Sequence, residues 1–219
     1  MTEAQWLACA DGPRAMLSQL TRPISGRKLR LLLCGYCRRF GHLLSDPRIL
    51  RAVEVCERFV DDRRATRGEL AEVNAASLAA CNDLATLKPF ESILALCATL
   101  ATLESVTARD VGGVAAIPPG SWEVSYNAWR RVQCDLFRDL FGNPFRPVSA
   151  DPTWLSWNDG ALRKLAPTVY DGRAFDRLPI LADALEDAGC GDTALLTHCR
   201  SGGEHVRGCW VVDLLLGKE

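Results

Sequence analysis

The chain has 219 residues, of which 48% are hydrophobic and 24% are charged, and its formal net charge is -1 at pH 7. A chain of this length can bury a full hydrophobic core, and these fractions are ordinary for a globular protein rather than a disordered one. The most apolar segment is interrupted by Asp213, so it is too short to cross a bilayer. We therefore expect a compact protein without a membrane span.

Ten cysteines would suggest a disulfide framework in a short secreted chain. The residues from Met1 to Gln5, however, lack the basic and apolar regions of a signal peptide. We therefore expect a cytoplasmic protein whose thiols are reduced.

Helical patterns dominate the first half of the chain. Apolar residues follow the i, i+3, i+4, i+7 rule from Leu29 to Leu44, and Ser45-Asp46-Pro47 offers a cap for a second helix. Thr66 and Glu69 form a capping box before a third helix, and Pro89 can open a fourth. These patterns predict a helical region over residues 1–111.

Glycine and proline pairs between Asp110 and Ser121 predict a connection, which we place at 112–120. A strong helix then ends at Gly142, and further amphipathic segments predict a second helical region over 121–219. The apolar segment 205–218 is predicted to be a buried closing helix that begins after the Gly202-Gly203 turn. The expected fold is all-α, an irregular multi-helix bundle with two packed helical halves.

Familiar catalytic signatures are absent from the sequence. It contains no GxxxxGK[ST], GxGxxG, HExxH or GxSxG string, and three histidines supply few general bases near neutral pH. No catalytic residue is assigned. An enzyme would need a pocket assembled from distant residues, for which His198, His205, Cys209 and Asp213 are the candidates, although a structural ion pair is the simpler role for Asp213.

A metal site is the strongest chemical constellation. His205 and Cys209 are four residues apart and would share a helix face, and the glycine turn could fold His198 or Cys199 back toward them. Tetrahedral zinc accepts such a set of ligands. Buried cysteines with no metal are the alternative, because cysteine is a common core residue.

The CxxC formed by Cys34 and Cys37 has a weaker chemical interpretation. Both residues lie inside the clearest amphipathic helix, whereas a redox pair requires a helix N-terminus and a zinc knuckle requires a second pair in a turn. We therefore interpret these thiols as core residues.

Two binding surfaces remain. A basic helix face that includes Arg30, Arg38 and Arg39 could meet nucleic-acid phosphates, although a solvated face paired with Glu54 and Glu57 is the commoner arrangement. The irregular aromatic segment 145–157 carries Arg146, Trp154 and Trp157, and these residue types anchor protein interfaces. The leading hypothesis is a non-enzymatic adaptor that binds another protein through either surface. A nucleic-acid-associated regulator and a protein with a small structural zinc site are the alternatives.

Several longer strings carry a family resemblance. EAQWLACADGPRAML and RKLRLLLCGYCRRFGHLL near the start, and FDRLPILADALEDAGC and HVRGCWVVDLLLGKE near the end, resemble a paralogous family of uncharacterised proteins from Gemmata-like planctomycetes. The likeness covers about two thirds of the chain. It implies no activity, cofactor or catalytic residue. The LADALEDAGC string is also similar to small helical modules that accompany repeat proteins in these bacteria, which implies an interaction role.

Overall fold

The computed structural model describes residues 1–20, 23–61, 64–118 and 125–218. Twelve α-helices and no β-strand occur within these ranges, which confirms the predicted all-α class. The helices are α1 (Glu3–Ala8), α2 (Arg14–Leu17), α3 (Gly26–Arg39), α4 (Pro47–Asp61), α5 (Arg67–Leu84), α6 (Pro89–Ala101), α7 (Ala108–Ala116), α8 (Tyr126–Phe141), α9 (Pro152–Asp171), α10 (Leu178–Asp187), α11 (Thr193–Arg200) and α12 (Trp210–Leu216).

The chain divides into two compact units, Met1–Arg138 and Asp139–Glu219. The division therefore lies near the end of α8, well beyond the predicted connection at 112–120. Part of that connection is helical, because Thr107 and Asp110 form a capping box that starts α7 and carries the helix through both glycines. Residues 119–120 of the predicted connection lie outside the described residues.

Unit 1 is built on four helices, in which α3 contacts α4 and α6, and α5 contacts the same two helices. Their starts follow the sequence signals: Ser25 caps α3, the Thr66 capping box starts α5, and Pro89 is the first residue of α6. The core is apolar and aromatic. Rings of Tyr36, Phe40, Phe90 and Trp129 pack at centroid distances of 4.9–5.6 Å, which places this part of α8 in the first unit.

The basic face predicted for the first long helix is partly internal. Every residue of α3 from Leu29 to Cys37 is buried, including Arg30. The Arg30 guanidinium donates hydrogen bonds to the carbonyls of Ala101 and Glu104 at the end of α6. Arginine here satisfies orphan helix carbonyls rather than facing solvent.

Unit 2 is built on α9 to α12. Its core includes Leu162, Leu181, Leu195, Val211 and Leu215, all 5% exposed or less. The segment 145–157, which was expected to be irregular, is helical from Pro152 onward, because Asp151 caps α9 by accepting a hydrogen bond from the Thr153 N–H. The helical backbone is interrupted at Trp157–Gly160, where three successive residues have positive φ.

The closing helix is shorter than predicted. It begins at Trp210 instead of His205, and residues 202–209 have no helical backbone. Gly208 has φ +91°, and the Cys209 N–H donates to the Val206 carbonyl at 3.0 Å, so the chain turns before the helix starts. Asp213 is 2% exposed, as expected for the charged residue of this helix.

None of the helices in the described ranges is both long enough and apolar enough to cross a membrane.

Glu91 yields a test of unit 1. Its side chain is buried, and it accepts hydrogen bonds from the backbone N–H groups of Ser45 and Asp46 at the start of α4. Burial opposes ionisation, but these donors outweigh it and lower the pKa of the Glu91 carboxyl. Glu91→Gln should lower the free energy of unfolding by about 1–3 kcal/mol at neutral pH, because charged acceptors make the stronger bonds. Chemical denaturation measures the loss.

The pH dependence supplies the control for this variant. A carboxyl with a lowered pKa in the folded state stabilises the protein above the ordinary glutamate pKa, and the contribution is lost as the pH falls through the lowered value. The difference in the free energy of unfolding between wild type and Glu91→Gln should therefore be smaller at about pH 3 than at neutral pH. Glu72→Gln, which changes an exposed side chain, should differ little from wild type at either pH. An equal loss in both variants would contradict this role for Glu91.

Gly142 and Gly189 form a matched pair in unit 2. Both have positive φ, at +63° and +90°. A Cβ on Gly142 would lie 3.1 Å from Cδ2 of Trp210, whereas a Cβ on Gly189 would meet no atom within 4 Å. Each alanine substitution should lower the free energy of unfolding by about 1–2 kcal/mol, because alanine is strained in the left-handed conformation. Gly142→Ala should lower it further, because the Trp210 ring must also move. Thermal denaturation of both variants compares them, and equal losses would show that this contact has no effect on stability.

Candidate metal centre

Four side chains of unit 2 converge on one point. The candidate ligand atoms of Asp139, His198, His205 and Cys209 all lie within 4.8 Å of one another. Each residue comes from a different local structure: the last turn of α8, the α11 helix, the turn after it, and the N-cap of α12. We call these four residues the Asp-His-His-Cys cluster.

Asp139 lies at the centre of the contacts in this cluster. Its Oδ1 is 2.6 Å from Nδ1 of His205 and 3.3 Å from Nε2 of His198. Its Oδ2 accepts a hydrogen bond from the backbone N–H of Val206 at 3.0 Å, which fixes the orientation of the carboxylate. Burial opposes the charge, but the hydrogen bonds and positive potential of the two histidines prevail and lower the pKa of Asp139 to about 2. The carboxylate is ionised at neutral pH.

Cys209 completes the set. Its Sγ is 3.3 Å from Nε2 of His198 and 3.9 Å from Nδ1 of His205. Burial, together with the charge of Asp139, raises the pKa of the Cys209 thiol well above its ordinary value, although the N–H groups of Val211 and Val212 favour the thiolate. Without an added positive charge this sulfur remains a thiol.

Solvent has little access to the cluster. The side chains of His205 and Asp139 are 5% and 6% exposed, that of His198 is 17% exposed, and Cys209 is fully buried. The Trp210 ring packs on His198 at a centroid distance of 5.3 Å. Because Trp210 also packs on Gly142, a glycine of the α8 terminus helps to position a histidine of the cluster.

The geometry distinguishes metal ligation from nucleophilic catalysis. In a Cys-His-Asp relay the sulfur and the carboxylate contact opposite nitrogens of one imidazole. Here Cys209 and Asp139 both contact Nε2 of His198, and both also contact Nδ1 of His205. A nucleophilic thiol also has to be partly exposed and to have a low pKa, and Cys209 has neither property. The arrangement suits four ligands around one ion.

Of the predicted set His198, Cys199, His205 and Cys209, the structure brings His198, His205 and Cys209 together in a group that could hold a metal ion. Cys199 is fully buried in the core of unit 2 and does not belong to the cluster, and Asp139 supplies the fourth candidate ligand atom. The predicted shared helix face of His205 and Cys209 is wrong, because both precede α12 in a turn. One signal for Asp139 was present in the sequence: it lies three residues after Leu136, on the apolar side of α8.

The residues predicted to bind partners have varied surroundings. Arg30 is buried, and the Arg38 guanidinium donates to both carboxylate oxygens of Glu57 at 3.2 and 2.8 Å. Arg39, the last residue of α3, is half-buried. Arg30 and Arg38 could therefore bind a phosphate only if they first broke their hydrogen bonds to these carbonyls and to Glu57.

The aromatic segment is split in the same way. Trp154 belongs to the core of unit 2 and Trp157 is half-buried, while Arg146 is exposed. Trp154 is therefore a packing residue, whereas Arg146 and Phe145, which is 40% exposed, are among the residues that this segment presents to solvent. A role in binding another protein stays a prediction.

No protein-family model matches this chain, and comparison with curated proteins and with solved structures gives no match either.

Proposed function

We propose that the chain is a zinc-binding helical protein in which one ion, held by the Asp-His-His-Cys cluster, has a structural role in unit 2. The observation that carries the proposal is the convergence of one carboxylate, two imidazoles and one thiol within 4.8 Å in a nearly closed site. Four protein ligands leave no open position for a substrate, which is typical of structural rather than catalytic zinc.

The ligand chemistry favours zinc over the common hard cations. Calcium and magnesium take oxygen ligands, whereas imidazole and thiolate suit zinc and its transition-metal neighbours. The spacing supports the same choice. Bonds of about 2.0–2.3 Å in a tetrahedron put neighbouring ligand atoms about 3.3–3.7 Å apart, and three of the contacts in the cluster measure 3.3, 3.3 and 3.9 Å.

The shortest contact of the cluster identifies what the ion must displace. Asp139 Oδ1 and His205 Nδ1 are 2.6 Å apart, a hydrogen-bonding distance that requires a proton between them. Zinc would replace that proton and the proton of the Cys209 thiol. The four residues would then coordinate the ion, while the N–H of Val206 would hold the Asp139 carboxylate in position by a hydrogen bond.

Stoichiometric binding tests this proposal. Full-length chain stripped with a chelator and titrated with Zn²⁺ should bind one equivalent. Asp139→Asn, His205→Ala and Cys209→Ser should each weaken binding by at least about 100-fold, because loss of a direct ligand exceeds the effect of an outer partner. Isothermal titration calorimetry and elemental analysis provide the measurement.

His42→Ala and Cys199→Ser are the matched controls. His42 is the third histidine of the chain and is exposed in unit 1, and Cys199 is a buried thiol of unit 2 outside the cluster. Both variants should bind zinc as wild type does. In the Co²⁺ form, the thiolate-to-metal charge-transfer band should vanish in Cys209→Ser and persist in Cys199→Ser. Absence of stoichiometric binding in the folded wild-type chain would refute the proposal.

Zinc should also stabilise the chain in a pH-dependent way. A ligand that binds the folded state at 100 times its Kd adds about 2.7 kcal/mol to the free energy of unfolding. Since histidine and cysteine must lose protons to bind, the rise in Tm should be larger at about pH 8 than at about pH 6. Differential scanning fluorimetry with and without zinc measures the shift. A shift that is independent of pH, or one that Cys209→Ser retains in full, would contradict ligation by the cluster.

A further inference from the structure

One face of α8 holds the N-terminal segment of unit 1. Arg130, Cys134 and Arg138 are spaced four residues apart and so form one stripe on the helix. Arg138 donates to the carbonyls of Trp6 and Cys9 at 3.1 and 3.0 Å, and Arg130 donates to the carbonyl of Asp11. The segment that follows α1 is thus fixed along this stripe at both ends.

Cys134 lies in the middle of the stripe and faces Cys9, the cysteine of the N-terminal segment. Its Sγ is 3.6 Å from Sγ of Cys9, and the Cys9 thiol also donates toward the carbonyl of Gly12 at 3.6 Å. Cys134 is fully buried, whereas Cys9 is half-buried at the C-cap of α1. Cys9 is therefore the residue of the pair that small reagents can reach in part, and Cys134 is sheltered from them.

We propose that Cys9 and Cys134 are an oxidation site that forms a reversible disulfide when the chain meets a hydroperoxide. A disulfide requires the two sulfurs to approach to about 2.05 Å. Cys9 can supply most of that movement, because it lies after the last residue of α1 and its backbone is extended, with φ -61° and ψ 125°. The guanidiniums of Arg130 and Arg138 keep the segment in place while the side chain rotates.

The chemistry takes place in two balanced steps. The Cys9 sulfur loses its proton and attacks one peroxide oxygen, the O–O bond breaks, and water leaves, so that Cys9 becomes a sulfenic acid. The Cys134 sulfur then loses its proton and attacks Sγ of Cys9, and the S–O bond breaks to release a second water. Two thiols are oxidised and one hydrogen peroxide is reduced to two waters. Burial and the contact with Cys9 raise the pKa of Cys134 to about 12, so Cys134 is protonated in the reduced chain and Cys9 is the sulfur that meets the peroxide first.

Other thiols of unit 1 show why this pair stands apart. Cys34 contacts Cys56, and Cys37 contacts Cys97, but all four are 0–1% exposed. Cys81 is half-buried like Cys9, yet its sulfur lies 3.5 Å from the hydroxyl of Ser92. Cys9 and Cys134 combine a sulfur-to-sulfur contact with access for a reagent.

Peptide mapping after oxidation tests the site. Reduced full-length chain treated under native conditions with stoichiometric hydrogen peroxide, then alkylated in denaturant and digested, should give a cross-linked peptide pair containing Cys9 and Cys134, with a loss of two hydrogens in intact mass. The Tm should rise by about 5–10 °C, because the cross-link closes a long loop. A thiol reductant should reverse both changes.

Three variants distinguish a built site from general thiol oxidation. Cys81→Ser should form the cross-link at the wild-type rate, and Cys9→Ser should lose it. Cys134→Ser should let the Cys9 sulfenic acid persist, where dimedone traps it. Absence of the Cys9–Cys134 cross-link in folded wild type would overturn the proposal, as would oxidation of Cys9 to sulfinic acid with Cys134 still reduced. The site lies in unit 1, so its failure would leave the zinc proposal unaffected.

Discussion

A single buried carboxylate organises the candidate site. Asp139 is 5% exposed, and an ionised carboxylate in that position is stable only where its charge is compensated. Two imidazoles and one backbone N–H provide the compensation, and each of these comes from the segment between α11 and α12 or from α11 itself. The need to satisfy one charge therefore determines where this segment lies, and the segment in turn brings Cys209 to the same point.

Unit 1 treats its charges differently. Arg30 and Arg38 of α3 donate hydrogen bonds to a carbonyl after α6 and to Glu57 of α4. Side chains that the sequence suggests as a binding surface therefore connect helices within the unit. Glu91 performs the reciprocal task by accepting the N–H groups at the start of α4. The start of α4 and the end of α6 are thus satisfied by side chains from other helices, which links these helices more specifically than apolar packing alone.

Local signals predicted much of the fold. Capping residues such as Ser25 and Thr66, and the proline at the start of α6, act within a few residues, so a single sequence contains them in full. Gly112 and Gly113 were misleading, since a capping box and helix packing outweigh the weak intrinsic penalty of glycine. The helix break at 158–160 and the turn before Cys209 depend on tertiary packing that periodicity does not express.

In the candidate site, too, only the residues that are close together in sequence could be predicted to meet. His198, His205 and Cys209 lie within 12 positions of one another, and their proximity could be inferred from the glycine turn between them. Asp139 is 66 positions from His205 in sequence, and no spacing rule connects the two residues. The one signal for Asp139 in the sequence is its place on the apolar side of α8, and that signal does not identify its partners.

That sequence separation has a kinetic consequence. His198, His205 and Cys209 are near enough in sequence to come together in an unfolded chain, since short loops close quickly and at little entropic cost. Asp139 can join them only after α9, α10 and α11 have brought their ends back to α8. If the cluster holds an ion as proposed, His198, His205 and Cys209 would be the residues able to hold it before unit 2 has folded, and Asp139 would complete the site only afterwards. Affinity of the unfolded chain for zinc would reduce the amount by which zinc raises the free energy of unfolding. The same affinity would keep the ion bound while the chain folds.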